Sequence, residues 1–167
     1  MTVEHLTAQR RIDAAPHIVF AVLADPANHA AIDGTGWVRG PLQEGVRITG
    51  EGEVFDMAMF HPMHPDGDYE IANRVVAFEP PGAIEWEPGF YVEDGQRDSG
   101  RWTWRYDLEE VDGQTDVTLT YDWSNATSDA RALPVPAVRG RQAHREPGQP
   151  RNADDLTQTD CSCHDPA

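Results

Sequence analysis

One short segment near the middle of the chain combines residue types that could bind a metal or move a proton. Residues 61–66 read His-Pro-Met-His-Pro-Asp. Imidazole and carboxylate groups bind divalent metals, but a zinc site needs at least three protein ligands, and the two prolines exclude the helical spacing that would bring two histidines together. We therefore expect no metal here. His61 could instead act as a general acid or base, and the simplest interpretation is a strand that ends in a Pro-rich turn.

Aromatic and methionine side chains recur at alternate positions of several β-rich segments. Alternate residues of a strand point to the same side, so these side chains are predicted to share one face of a sheet. Such a face either fills the domain core or lines a pocket for an apolar ligand. On a neighbouring strand, Arg74 could meet a ligand carboxylate or pair with a surface acid. The predicted ligand-binding residues are Phe55, Met57, Met59, Trp86, Trp102, Trp104, Tyr106, Tyr121 and Trp123, and the candidates for catalysis are His61 and Tyr106.

The segments that carry these residues predict an antiparallel α+β domain. Alternation predicts a first strand over 3–13, and helical spacing predicts a helix that begins at Pro16 and a second short helical segment over 27–32. Six β-rich segments follow, separated by turn signals such as Pro-Pro-Gly at 80–82. They cover 37–41, 53–61, 72–79, 83–87, 101–111 and 116–124. This order favours a meander sheet with both helices packed on one face.

Five segments carry a resemblance to a known family. They are AAPHIVFAVLADP at 14–26, NRVVAFEPP at 73–81, IEW at 84–86, WRY at 104–106 and VTLTY at 117–121. Over about residues 3–125 the chain resembles the START-like, or SRPBCC, superfamily of polyketide cyclase/dehydrase and lipid-transport proteins. The resemblance implies a helix-grip fold, in which a curved antiparallel sheet wraps around a long C-terminal helix and encloses a hydrophobic cavity. It also implies binding of a small hydrophobic, lipid- or polyketide-like ligand, or alternatively a cyclase or dehydratase activity in which a cavity histidine and tyrosine transfer protons.

The sequence departs from this resemblance at its C-terminus. Residues 1–125 are predicted to form the ligand-binding domain, whereas 126–167 form a tail in which Arg, Ala, Pro and Gly dominate the stretch 131–151. The long grip helix is therefore expected to be lost, and the tail to be disordered. An out-of-frame translation that yields an inactive product would explain such a tail. The uncovered apolar face could then drive formation of a homo-oligomer.

The composition excludes several classes of partner. The chain has 29 acidic and 13 basic residues and a net charge of −16, which disfavours binding to nucleic acids and to anionic lipid surfaces. We found no apolar run of the roughly 20 residues needed to cross a bilayer and no signal peptide, so a cytoplasmic protein is expected. Neither a Gly-rich phosphate loop nor a nucleophile motif is present, so no cofactor is expected.

Overall fold

Eight strands and two α-helices make up the part of the chain that the structure describes. The computed structural model describes residues 4–128 and Arg131. No helix within this part is both long and apolar enough to cross a membrane. In chain order the elements are β1 (His5–Ile12), α1 (Pro16–Leu23), a 3₁₀ turn (Pro26–Asn28), α2 (His29–Ile32), β2 (Val38–Pro41), β3 (Val54–Phe60), β4 (Asp68–Glu79), β5 (Ala83–Tyr91), β6 (Arg97–Ser99), β7 (Thr103–Val111) and β8 (Gln114–Asp122).

The two predicted helices and the predicted strands are present, and the differences concern the strand ends. The fourth strand begins at Asp68 rather than at residue 72, and the fifth continues past Glu87 to Tyr91. The extension of β5 is explained by a second partner, because its last three residues pair with β6. β6 itself was not predicted, since three residues are too few to show a period.

The strands form one antiparallel sheet in the order β1-β8-β7-β5-β4-β3-β2, with β6 as an additional partner of β5. β1 pairs with β8 along its whole length, so the first and last strands along the chain lie side by side. The register of β4 against β5 shifts between Val75 and Ala77, and the register of β2 against β3 also shifts. Because such bulges bend a strand and increase its twist, the sheet is curved and has a concave face.

α1 fills one end of the concave face. Pro16 starts the helix, where its missing N–H leaves no bond unmade, and the apolar side of α1 packs on β5, β7 and β8. The Phe20 ring meets the Phe78 ring edge-on at 5.3 Å. The fully buried Thr115 hydroxyl donates to the Ala14 carbonyl at 2.7 Å and ties the start of α1 to β8. The other end of the concave face is therefore left for α2 and the segment that follows it.

The last described residues fold back onto the start of the chain. The Arg131 amide donates to the Thr127 carbonyl at 2.9 Å, as in a helical turn. Its guanidinium donates to the Ser124 carbonyl and to the Glu4 carboxylate, both at 3.0 Å. The predicted loss of the grip helix, the predicted disorder and the out-of-frame origin concern mainly residue 129 onward, which, apart from Arg131, lies outside the described residues.

A candidate ligand-binding pocket

A pocket of about 610 Å³, which we call the central pocket, lies between α2, the segment 33–38 and the concave face of the sheet. This volume is in the usual range for small-molecule sites. The wall consists mainly of aromatic and methionine side chains. Those from the sheet are Met57, Met59, Tyr69, Trp86, Phe90, Trp104, Tyr106 and Tyr121.

The strand register explains why so many large side chains meet in one place. Trp86 on β5 lies directly opposite Trp104 on β7, and Trp104 lies opposite Tyr121 on β8. The rings of Trp104 and Tyr121 stack with centroids 4.4 Å apart, and those of Trp86 and Tyr106 lie 5.5 Å apart. Side chains that oppose one another across antiparallel strands share a face, so the rings form a continuous wall. Because the sheet curves, this wall surrounds space instead of lying flat.

Most of the sequence-predicted residues line the central pocket, and two do not. Those that line it are His61, Met57, Met59, Trp86, Trp102, Trp104, Tyr106 and Tyr121. Phe55 is 4 % exposed and lies in the core, where its ring packs edge-on against His29 at 5.5 Å. Trp123 follows the end of β8 and packs against Tyr121 at 5.2 Å from outside the pocket. Phe55 does not reach the central pocket because α2 covers it. Trp123 does not reach the pocket because the aromatic wall ends before this residue.

His29 is a pocket residue that sequence reasoning missed. It begins α2, is 7 % exposed and stacks on Trp86 with ring centroids 5.1 Å apart. Its Nε2 lies 2.8 Å from the Leu23 carbonyl oxygen, which can only accept, so Nε2 carries the proton and Nδ1 is an acceptor. Desolvation by burial lowers the pKa of His29 and keeps the ring neutral. The sequence offered no signal for this role, because a four-residue helix has no clear apolar side.

Asn73 is the second pocket residue that was missed. It is 5 % exposed and lies on β4 between Phe55 of β3 and Pro88 of β5. It lines the central pocket, and no residue of the described chain hydrogen-bonds its side-chain amide. The signal that could have identified it is a polar residue two positions after Ile71, on the same face of the strand as this apolar residue. The neighbouring Arg74, in contrast, is exposed, and strand alternation places it on the opposite face.

Two histidines stand at the mouth of the central pocket. The His61 ring meets the Trp37 ring edge-on at 4.8 Å, and the His64 ring stacks on Tyr69 at 4.8 Å. The His61 Nδ1 accepts a hydrogen bond from the Met63 amide at 3.2 Å, so its Nε2 is the atom available for other partners. In the described part of the chain no three His, Cys, Asp or Glu side chains are grouped so that they could hold a metal.

A single carboxylate contributes negative charge to the described wall. Asp33 accepts hydrogen bonds from the Trp37 and Val38 amides at 2.8 and 2.9 Å, which fix the segment between α2 and β2. Burial, and to a smaller extent the charge of Asp33, raise the pKa of Tyr106 to about 12. Burial raises the pKa of Tyr121 to about 12 as well. Both hydroxyls therefore stay protonated at neutral pH and can donate hydrogen bonds to a ligand.

Part of the chain is similar in sequence to a curated protein. No protein-family model matches the chain. Over 109 residues it is 32 % identical to the uncharacterized protein Rv0088 of Mycobacterium tuberculosis, and the match covers 65 % of this chain. The chain spans 42 % of the length of that relative.

Solved structures show the class of fold. Protein Ms6760 from Mycobacterium smegmatis is similar with a TM-score of 0.53 and 23 % identity, over 78 % of this chain and 76 % of that one. A protein from Rhodobacter sphaeroides is similar with a TM-score of 0.54 and 24 % identity, over 77 % of this chain and 76 % of that one. The curved antiparallel sheet with two short helices is a helix-grip-like α+β fold. The predicted α+β fold, a curved antiparallel sheet with two short helices, is therefore confirmed.

Proposed function

We propose that this chain binds a small hydrophobic, lipid- or polyketide-like ligand in the central pocket. The observation that carries the proposal is that aromatic and methionine side chains from β3, β4, β5, β7 and β8 surround about 610 Å³ instead of interlocking. A space of this size that opens to solvent and is walled by aromatic side chains can admit a small molecule. Apolar walls with a few convergent polar groups are typical of small-molecule sites.

The size of the central pocket sets the affinity to expect. A ligand that buries about 400 Å² of apolar surface gains roughly 10 kcal/mol from desolvation. Association costs at least about 4 kcal/mol in lost translational and rotational freedom. At most ~6 kcal/mol remains, which corresponds to a dissociation constant of some tens of micromolar or weaker.

A titration with the neutral fluorescent dye Nile red tests the proposal, with two tryptophan variants as a matched pair. Trp104 lines the central pocket and stacks on Tyr121, whereas Trp123 packs on the same tyrosine from outside. We expect Trp104→Ala to weaken dye binding at least tenfold and Trp123→Ala to change it less than twofold. Circular dichroism checks that both variants fold. A wild-type protein without saturable dye binding, or equal losses in the two variants, would contradict the proposal.

A second candidate function is proton-transfer catalysis, of the cyclase or dehydratase type, on a bound ligand. The observation that favours it is that His61 lines the pocket with its Nδ1 accepting from the Met63 amide, so that a neutral ring carries its proton on Nε2 and can donate it to a ligand. Tyr106 would serve as a hydrogen-bond donor, since its raised pKa disfavours the phenolate that proton transfer would leave. His61→Ala should then abolish turnover while Nile red affinity stays within twofold. An unchanged turnover would exclude His61 as the proton donor.

Self-association through an exposed apolar face stays a prediction. Exposed apolar side chains in the described residues include Ile18, Leu42, Val54 and Met63, of which Met63, 68 % exposed, stands at the pocket mouth. Sedimentation velocity tests the prediction directly. A concentration-independent monomer would contradict it.

A further inference from the structure

The Asn73 side chain is a buried polar group that the described protein leaves without a partner. It is 5 % exposed, and its neighbours across the strands are Phe55 and Pro88, whose side chains offer no hydrogen bond. In the described residues, every side-chain nitrogen or oxygen that is sealed from solvent has a hydrogen-bond partner. The unpaired Asn73 amide is therefore not sealed, and it opens onto the central pocket. A buried amide is costly unless something pairs with it. The pocket occupant is therefore the natural partner.

The polar groups of the pocket wall define which occupant would fit. The amide offers a donor and an acceptor, the protonated Tyr106 hydroxyl offers a donor, and the His29 Nδ1 offers an acceptor. A ligand carbonyl oxygen can accept from the Asn73 amide or the Tyr106 hydroxyl, and a ligand hydroxyl can also donate to the His29 Nδ1. A pure hydrocarbon pairs with none of them. A site built to hydrogen-bond one substrate group rejects strongly the analogue that lacks it.

The charge of the wall excludes one class of ligand. Asp33 supplies a carboxylate, and none of the arginines in the described chain lines the central pocket. Arg74, the cation closest in sequence to Asn73, is exposed on the opposite face. A ligand carboxylate would therefore lose its hydration and face a like charge without a counter-ion.

We propose that the ligand is an uncharged, largely apolar molecule with a carbonyl or hydroxyl group, and that Asn73 is the residue that recognises this group. The inference rests on the proposed function. It adds that free carboxylic acids, including fatty-acid anions, are poor ligands. It also separates recognition by Asn73 from the general apolar attraction that the aromatic wall exerts.

Three naphthalene derivatives of similar size test the inference by displacement of Nile red. They are 2-acetylnaphthalene, which carries a ketone, 2-ethylnaphthalene, which carries no polar group, and 2-naphthoate, which carries a negative charge. The wild-type protein is expected to bind the ketone at least tenfold more tightly than either of the others. Asn73→Leu should bind the ketone and the hydrocarbon equally. The Nile red dissociation constant of the variant is measured separately to convert displacement into affinity, because the dye carries a carbonyl that residue 73 can also meet. The matched control is Asn125→Leu at an exposed position, which should keep the wild-type preference.

A measurement on the wild-type protein covers the case in which Asn73→Leu fails to fold. The side-chain ¹⁵NH₂ resonances of Asn73 should shift when the ketone is added and stay in place when the hydrocarbon is added. Nile red binding without any ketone preference, or a preference that survives Asn73→Leu, would overturn this inference and leave the proposed function intact. Tight binding of 2-naphthoate would also overturn it. Absence of Nile red binding by the wild-type protein would overturn both.

Discussion

The buried His29 makes the stability of the fold sensitive to mild acid. Its ring lies between α2 and the pocket wall, stacks on Trp86 and donates to the Leu23 carbonyl. Burial lowers its pKa below the ordinary value of 6.5, so the unfolded chain takes up this proton before the folded chain does. The stabilisation from neutral His29 is therefore fully present above about pH 6.5 and is lost as the pH falls through the folded-state pKa.

The magnitude follows from proton linkage. Below pH 6.5 the unfolded state binds one more proton than the folded state, and each pH unit then removes up to about 1.4 kcal/mol from the free energy of unfolding. Between pH 7.5 and pH 5.5 the loss reaches up to about 1.4 kcal/mol. Hydrogen bonds lower the pKa values of Glu53, Asp116 and Asp122, so the stabilisation from these carboxylates is lost only below this window.

The variant His29→Gln tests this reasoning, because a glutamine amide can still donate to the Leu23 carbonyl but does not titrate. Urea unfolding followed by tryptophan fluorescence gives the free energy of unfolding at pH 7.5, 6.5 and 5.5. At pH 7.5 the variant should be less stable by about 1–2 kcal/mol, through lost ring packing. The gap should narrow by up to about 1.4 kcal/mol at pH 5.5.

His17→Gln is the matched control, since His17 is exposed on α1 and its replacement should keep the wild-type pH dependence. If His29→Gln loses as much stability on acidification as the wild type does, the folded protein accepts a proton at His29. The ring would then not be buried as a neutral donor, and the reasoning would be wrong.

Three further measurements probe the core, the wall and the tyrosines. Ile84→Ala, at a fully buried position of β5, should cost about 3 kcal/mol in urea unfolding, and a loss under about 1 kcal/mol would contradict its place in the core. Gly100→Ala should push the Trp102 indole away from the pocket, because a Cβ at residue 100 would overlap that ring. Nile red affinity should then fall severalfold with the fold intact. An unchanged affinity would show that the Trp102 indole does not contribute to dye binding. In an absorbance titration at 295 nm, Tyr106 and Tyr121 should ionise only above about pH 11, and complete ionisation of all four tyrosines by pH 11 would show that these rings are not buried.

Local patterns were enough to predict most of the secondary structure. The two-residue alternation of strands and turn signals such as Pro-Pro-Gly gave β7, β8 and the α+β order, because both arise from the geometry of a few neighbouring residues. The three-residue β6 was missed for the opposite reason, since it exists only through its pairing with β5.

The same distinction applies to the candidate site. Alternation placed Met57, Trp86 and Trp104 together on one face without knowledge of the fold. It could not show that His29 would lie over Phe55, or that the Asn73 amide would be left unpaired, because both depend on how α2 lies on the sheet.

By itself, the sequence determined which side chains share a face, because each residue of an extended chain points opposite to its neighbour. It did not determine whether those side chains interlock as a core or surround an open space. That was decided by the curvature of the sheet, by α1, which fills one end of the concave face, and by α2, which borders the pocket of about 610 Å³ at the other end. These are long-range packing relations among strands and helices far apart in the chain, and no local period records them.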